Sequence, residues 1–132
     1  MNKLFNAAIG ALILAAAPAF AEVVVVVNPA NTDAISKDQV ANVYLGKSTA
    51  FTPIDQSDGS AIRGEFYKKV ADKDASQTKA LWSKLVFTGK AAPPKEVASS
   101  ADVKKAVAAN PKAIGYIEKS AVDATVKVVL TP

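Results

Sequence analysis

Val23-Val24-Val25-Val26-Val27-Asn28-Pro29 carries the clearest signal of fold class in the chain. A strand with one wet face alternates apolar and polar residues, whereas a short unbroken β-branched run closed by Asn and Pro marks a strand buried on both faces. This one does not alternate, so it predicts an α/β sheet covered on both sides. Asn28 falls at the carboxyl end of that strand, where ligands bind in open α/β sheets. It is also an ordinary turn former, and both readings stay open at this point.

Upstream of the valines, residues 1–21 read as a signal peptide. Lys3 supplies the positive end, Ala7 to Ala17 the apolar core, and Ala19-Phe20-Ala21 a small-x-small cleavage site. The core is shorter than the roughly 20 residues a bilayer span needs. Export to the periplasm with cleavage after Ala21 is therefore expected, with no membrane span left afterwards. Removing 21 of 132 residues leaves 111, enough for one domain over residues 22–132 with its own core.

The sequence has no Cys and no His. A lipoprotein anchored through a cysteine is not expected; disulfides, thiolate metal sites, cysteine nucleophiles and His-dependent triads are excluded, and neither a metal nor a cofactor is expected. Without Lys3 the chain has 15 basic and 12 acidic residues, a formal charge of +3. That surplus suits a small anion or an envelope surface. It is too diffuse to argue for nucleic acid.

Downstream, Ser36-Lys37-Asp38-Gln39 is a capping box opening a helix that carries Val40, Val43 and Tyr44 inward and stops at Gly46. Phe51 to Ile54 reads as a second strand running into Asp55-Gln56-Ser57-Asp58-Gly59-Ser60-Ala61-Ile62-Arg63. The turn opens a helix with Ile62, Phe66 and Val70 as its buried stripe. Small and capping residues at a helix start leave N–H groups that, with the helix dipole, suit an anion; the same residues are ordinary capping chemistry. Arg63 opposes the dipole in the first turn. It either pairs back onto Asp55 or Asp58, or faces a bound anion.

Gln77 to Phe87 follows as a helix capped by Asp74 or Ser76. Leu81 with Leu85, and Trp82 with Val86, are expected to pack it heavily; Trp82 reads as core, with stacking on a ligand as the alternative. Pro93-Pro94 predicts an extended linker. Ala101 to Asn110 is a short helix capped by Ser99 or Ser100. Ala113 to Ile117 is a buried strand whose Gly115 allows another backbone to come close, and Thr125 to Leu130 is the last strand.

These motifs in order resemble the substrate-binding proteins of phosphate ABC transporters, of the type II periplasmic binding protein fold. The matching features are the valine strand ending Asn28-Pro29, Val43-Tyr44-Leu45-Gly46-Lys47, the Asp55 to Ser60 loop before Phe66, Phe87-Thr88-Gly89 and Ala113-Ile114-Gly115-Tyr116. The resemblance implies a single three-layer domain with a mixed sheet of about four strands flanked by helices, like one lobe of such a protein. It implies a solute-binding function, with no catalytic residues, toward phosphate or a similar oxyanion. Gln56, Ser57, Asp58, Gly59 and Ser60 fall on the phosphate loop, with Arg63 one turn on.

In the larger relatives an arginine precedes the Asp-Gly-Ser core and a Gly-Thr pair follows it. Here Gln56 and Ala61-Ile62 occupy those places, and 111 residues cannot supply the other lobe that closes over the ligand in two-lobed relatives, so weak binding is expected unless a second copy or a partner covers the site. An ABC permease or another envelope protein is the implied partner. The alternative is an envelope interaction or regulatory module that has lost ligand capture.

Overall fold

The five valines of strand β1, Val23–Val27, are all buried, and they divide strictly between two cores. Val23, Val25 and Val27 enter one with Ile35, Tyr44, Phe66 and Tyr116; Val24 and Val26 enter the other with Ile54, Val103, Val107 and Ile117. Successive side chains of a strand point to opposite faces, so a run with no polar member needs cover on both. Fully burying such side chains is worth roughly 1.5–3 kcal/mol each. The computed structural model describes residues 22–57 and 59–132. The expected signal peptide, residues 1–21, and Asp58 lie outside the described residues.

After β1 come helix α1 (Lys37–Tyr44), strand β2 (Thr52–Gln56), helices α2 (Ala61–Ala71) and α3 (Ala75–Phe87), strand β3 (Lys95–Val97), helix α4 (Ser100–Ala109), strand β4 (Ala113–Glu118), a 3-10 turn (Lys119–Ala121) and strand β5 (Lys127–Leu130). The sheet order is β3-β2-β4-β1-β5. β2 runs parallel to β3 and β4, and β1 runs antiparallel to β4 and β5. This is a mixed α/β sheet between helical layers, with five strands where about four were expected. The additional one, β3, lies in the stretch read as a linker. Three residues at a sheet edge are too short to show a period.

Local capping follows the sequence. Ser36 and Gln39 form the reciprocal capping box of α1, Asp74 and Gln77 that of α3, and Ser99 caps α4. Trp82 is core, its indole N–H donating to the Tyr44 carbonyl at 2.9 Å. The rest of α3 packs less than its apolar pairs suggested: only Thr78 and Trp82 are buried, while Val86 and Phe87 are exposed. Gly115 does permit a close approach, but by side chains of α4, not by a backbone. A Cβ there would fall less than 3 Å from Val103 Cγ1 and 3.2 Å from Val107 Cγ2.

Candidate anion-binding crevice

The site is created where β2 and β4 part. Their ladder covers Thr52 with Ala113 and Pro53 with Ile114. Beyond it, side chains satisfy the backbone groups that a continued ladder would pair. The Tyr44 hydroxyl donates to the Ile54 and Ile114 carbonyls at 2.8 and 3.1 Å, and the Tyr116 hydroxyl accepts from the Gln56 amide at 3.1 Å. Gln56 Nε2 donates to the Tyr116 carbonyl at 3.0 Å. The carboxyl ends of the parallel strands are thereby held open, and crevices at such ends are where α/β sheets bind ligands.

Two helices start at this edge. α2 follows β2, and α4 follows β3, which is parallel to β2, so both N-termini face one cleft of about 540 Å³. Its lining includes Ser57, Gly59 and Ser60 from one side, Ser99 and Ser100 from the other, and Glu118. Gln56 ties the halves together. Its Oε1 accepts from the Ser60 hydroxyl at 2.8 Å, and its Nε2 also donates to Ser100 Oγ at 3.3 Å. The Ser60 side chain makes no capping bond to α2. Amide groups at two positive helix ends are donors suited to an oxyanion, and the Ser60 hydroxyl, which gives its hydrogen to Gln56, helps to shape the loop between them.

Beside this cleft lies a buried charge cluster. Asp55 is only 2% exposed. It accepts from the Tyr116 hydroxyl and, at 2.6 Å, from the Tyr67 hydroxyl, with Arg63 Nη2 at 3.9 Å. Burial raises the Asp55 carboxyl above its ordinary value and outweighs the opposing pull of the two tyrosines and Arg63. The tyrosines move up as well, first through burial and then through the Asp55 charge. Burial, the largest single influence, would lower Arg63, yet Asp55 together with Tyr67, Glu96 and Tyr116 outweighs it and the guanidinium is held more firmly protonated. Arg63 Nη1 donates to the Gln56 carbonyl at 2.9 Å and to Glu96 Oε2 at 3.2 Å.

The expected site residues therefore separate. Gln56, Ser57, Gly59 and Ser60 share the cleft, and Arg63 lies behind them, paired with Asp55 as one of its two readings had it. Asn28 is at the other end of the sheet, because β1 is antiparallel to β4 while β2 is parallel to it. There its Nδ2 donates to the Val107 and Ala108 carbonyls, both at 3.0 Å, and its Oδ1 accepts from the Ala30 amide at 2.8 Å. Ser99, Ser100 and Glu118 join the cleft without having been marked for it. Recognising β3 as a parallel strand was the signal that would have brought the start of α4 to this edge.

No family model matches the sequence, and no curated protein matches it. Solved structures do. An ABC-type phosphate transport receptor from Vibrio cholerae superposes with TM-score 0.66 at 22% identity, over 84% of this chain and 46% of the receptor. The fold is that of one lobe of such a protein. A Clostridium perfringens protein assigned as a phosphate ABC transporter substrate-binding protein, solved with bound phosphate, gives TM-score 0.65 at 21% identity over 83% of this chain and 44% of its own. PstS from Borrelia burgdorferi gives 0.62 at 12% identity over 83% and 46%. The chain thus spans a little under half the length of the solved proteins it matches.

Proposed function

We propose that the protein is an exported, periplasmic solute-binding protein, not an enzyme, that holds phosphate or a similar tetrahedral oxyanion weakly in the crevice between Ser57, Gly59 and Ser60 on one side and residues 98–101 on the other. The observation that carries this reading is the convergence of two helix N-termini and four serines at the carboxyl ends of parallel strands. Fold likeness to phosphate-transport receptors, one solved with phosphate, supports the class of ligand. Asp58 belongs to the same loop in sequence. Asn28, at the far end of the sheet, acts structurally.

Weak affinity follows from three features. The crevice is open to water, the Glu118 carboxylate is part of its lining, and the Arg63 fork is already engaged by Gln56 and Glu96. That engagement also favours a second reading, an envelope interaction or regulatory module in which the oxyanion loop no longer captures ligand. A permease or other envelope protein is the partner under either reading.

Amide chemical shifts of the protein titrated with phosphate and sulfate, against chloride at matched ionic strength, separate the two. Expected are saturating shifts at Ser57, Gly59, Ser60, Ser99 and Ser100 in the millimolar range, weakened by Ser60→Ala and Ser100→Ala. No shifts at those amides with either anion would overturn oxyanion binding and leave the interaction module.

A further inference from the structure

Helix α3 ends on the two most exposed large apolar side chains among the described residues, Phe87 at 90% and Val86 at 49%. Residues 75–95 around them contain four lysines, Lys79, Lys84, Lys90 and Lys95, and no Asp or Glu. All four lysines are exposed. Lys79 shares a cleft of about 500 Å³ with Trp82, Val86 and Phe87, and Lys90 and Lys95 line the adjoining cleft across Trp82 and Pro93-Pro94. Lys84 precedes Phe87 by three residues on the helix surface. The acidic groups that reach this face, Asp55 and Glu96, are both paired with Arg63.

From this patch we infer that the protein docks on a bilayer surface rich in anionic headgroups, with Phe87 entering the boundary between headgroups and acyl chains. An exposed aromatic side chain on a lysine-rich, acid-free segment matches that boundary: the ring takes the apolar side, and the ammonium groups meet lipid phosphates. A second copy of the chain is the poorer occupant. A two-fold interface would set the acid-free lysine segment against itself. A projecting aromatic enters a fluid interface without needing a shaped pocket, which favours a bilayer over an acidic protein surface.

The test uses residues 22–132, which contain every strand and helix described. Vesicles of phosphatidylcholine alone and of phosphatidylcholine mixed with phosphatidylglycerol are floated with it. Flotation with the anionic vesicles and release by added salt are expected. Trp82, the sole tryptophan and seated beneath the patch, should shift its emission on docking.

Phe87→Ala should lower the partition coefficient by about tenfold. Lys84→Gln with Lys90→Gln should lower it by roughly thirtyfold, at about fivefold per lysine. These side chains are exposed, so circular dichroism should show all variants folded. Lys105→Gln with Lys112→Gln, on other exposed surfaces, should change partition little. The inference is overturned by equal flotation with neutral vesicles, by none at low salt, or by wild-type partition of the Phe87 and lysine variants. It is equally overturned by a comparable loss in the Lys105 and Lys112 pair, or by a Phe87-dependent dimer that does not float.

Discussion

Gly115→Ala tests whether the close seating of α4 on β4 is what sets this architecture. In a strand without a neighbour, alanine for glycine stabilises by reducing the freedom of the unfolded chain, by about 0.4–1 kcal/mol. Here the new methyl would lie less than 3 Å from Val103 Cγ1 and 3.2 Å from Val107 Cγ2. Both valines are fully buried, so the helix must retreat or the side chains must leave their rotamers. Overpacking of this kind costs about 1–3 kcal/mol, which reverses the sign. Val103→Ala alone removes two methyl groups and should cost about 2 kcal/mol.

The double variant should be less destabilised than the two losses added, by about 0.5–3 kcal/mol, because the alanine methyl occupies space that Val103 vacates. Urea unfolding followed by circular dichroism measures all three, and unchanged m-values show that the native state stays compact. Gly115→Ala should also displace Ser99 and Ser100 and so weaken the phosphate-dependent shifts. A Gly115→Ala variant as stable as wild type, or a double variant showing the full additive loss, would show that contact with Val103 and Val107 does not set the seating of α4.

Two further outcomes are expected. The folded protein binds the Asp55 proton more tightly than the unfolded chain does, so between pH 3.8 and the higher folded value stability contributed by this group falls as pH rises. The stability difference between wild type and Asp55→Asn, measured by urea midpoints, should therefore favour wild type most below that window and shrink toward neutrality; a difference that grows instead would show a depressed carboxyl. Asn28→Ala removes the side-chain donor to the Ala108 carbonyl and the acceptor of the Ala30 amide, while the Val107 carbonyl keeps the Asn110 amide at 3.3 Å, and should cost about 1–3 kcal/mol. Its phosphate titration should match wild type, and loss of the shifts in a folded Asn28→Ala protein would place Asn28 in the site after all.

What could be read in the sequence was local. The valine run announces two-sided burial because no polar residue interrupts it, and both capping boxes are complete within four residues. What could not be read depends on strand order. Asn28 and Gln56 each end a strand, and only the antiparallel pairing of β1 with β4 sends them to opposite ends of the sheet. β3 was hidden by its length. With it went the direction of α4 and the contribution of Ser99 and Ser100. The exposure of Val86 and Phe87 was equally invisible, since helical spacing shows which residues share a face but not whether anything covers it.

The cluster behind the crevice explains why Arg63 supported two readings. A first-turn arginine is unfavourable to its helix dipole, and Asp55 at the end of the preceding strand provides compensation. Yet Asp55 is itself a buried carboxylate that needs donors, and it finds them in Tyr116 and Tyr67 as well as in Arg63. The same Tyr116 whose hydroxyl reaches Asp55 accepts the Gln56 amide, and Gln56 in turn holds Ser60 and Ser100. Arg63 and Asp55 thus act on the crevice through the backbone of Gln56. Removing Arg63 would disturb the loop through Gln56 in any case, so loss of binding in Arg63→Ala cannot by itself identify a ligand group, whereas Ser60→Ala and Ser100→Ala address the lining directly.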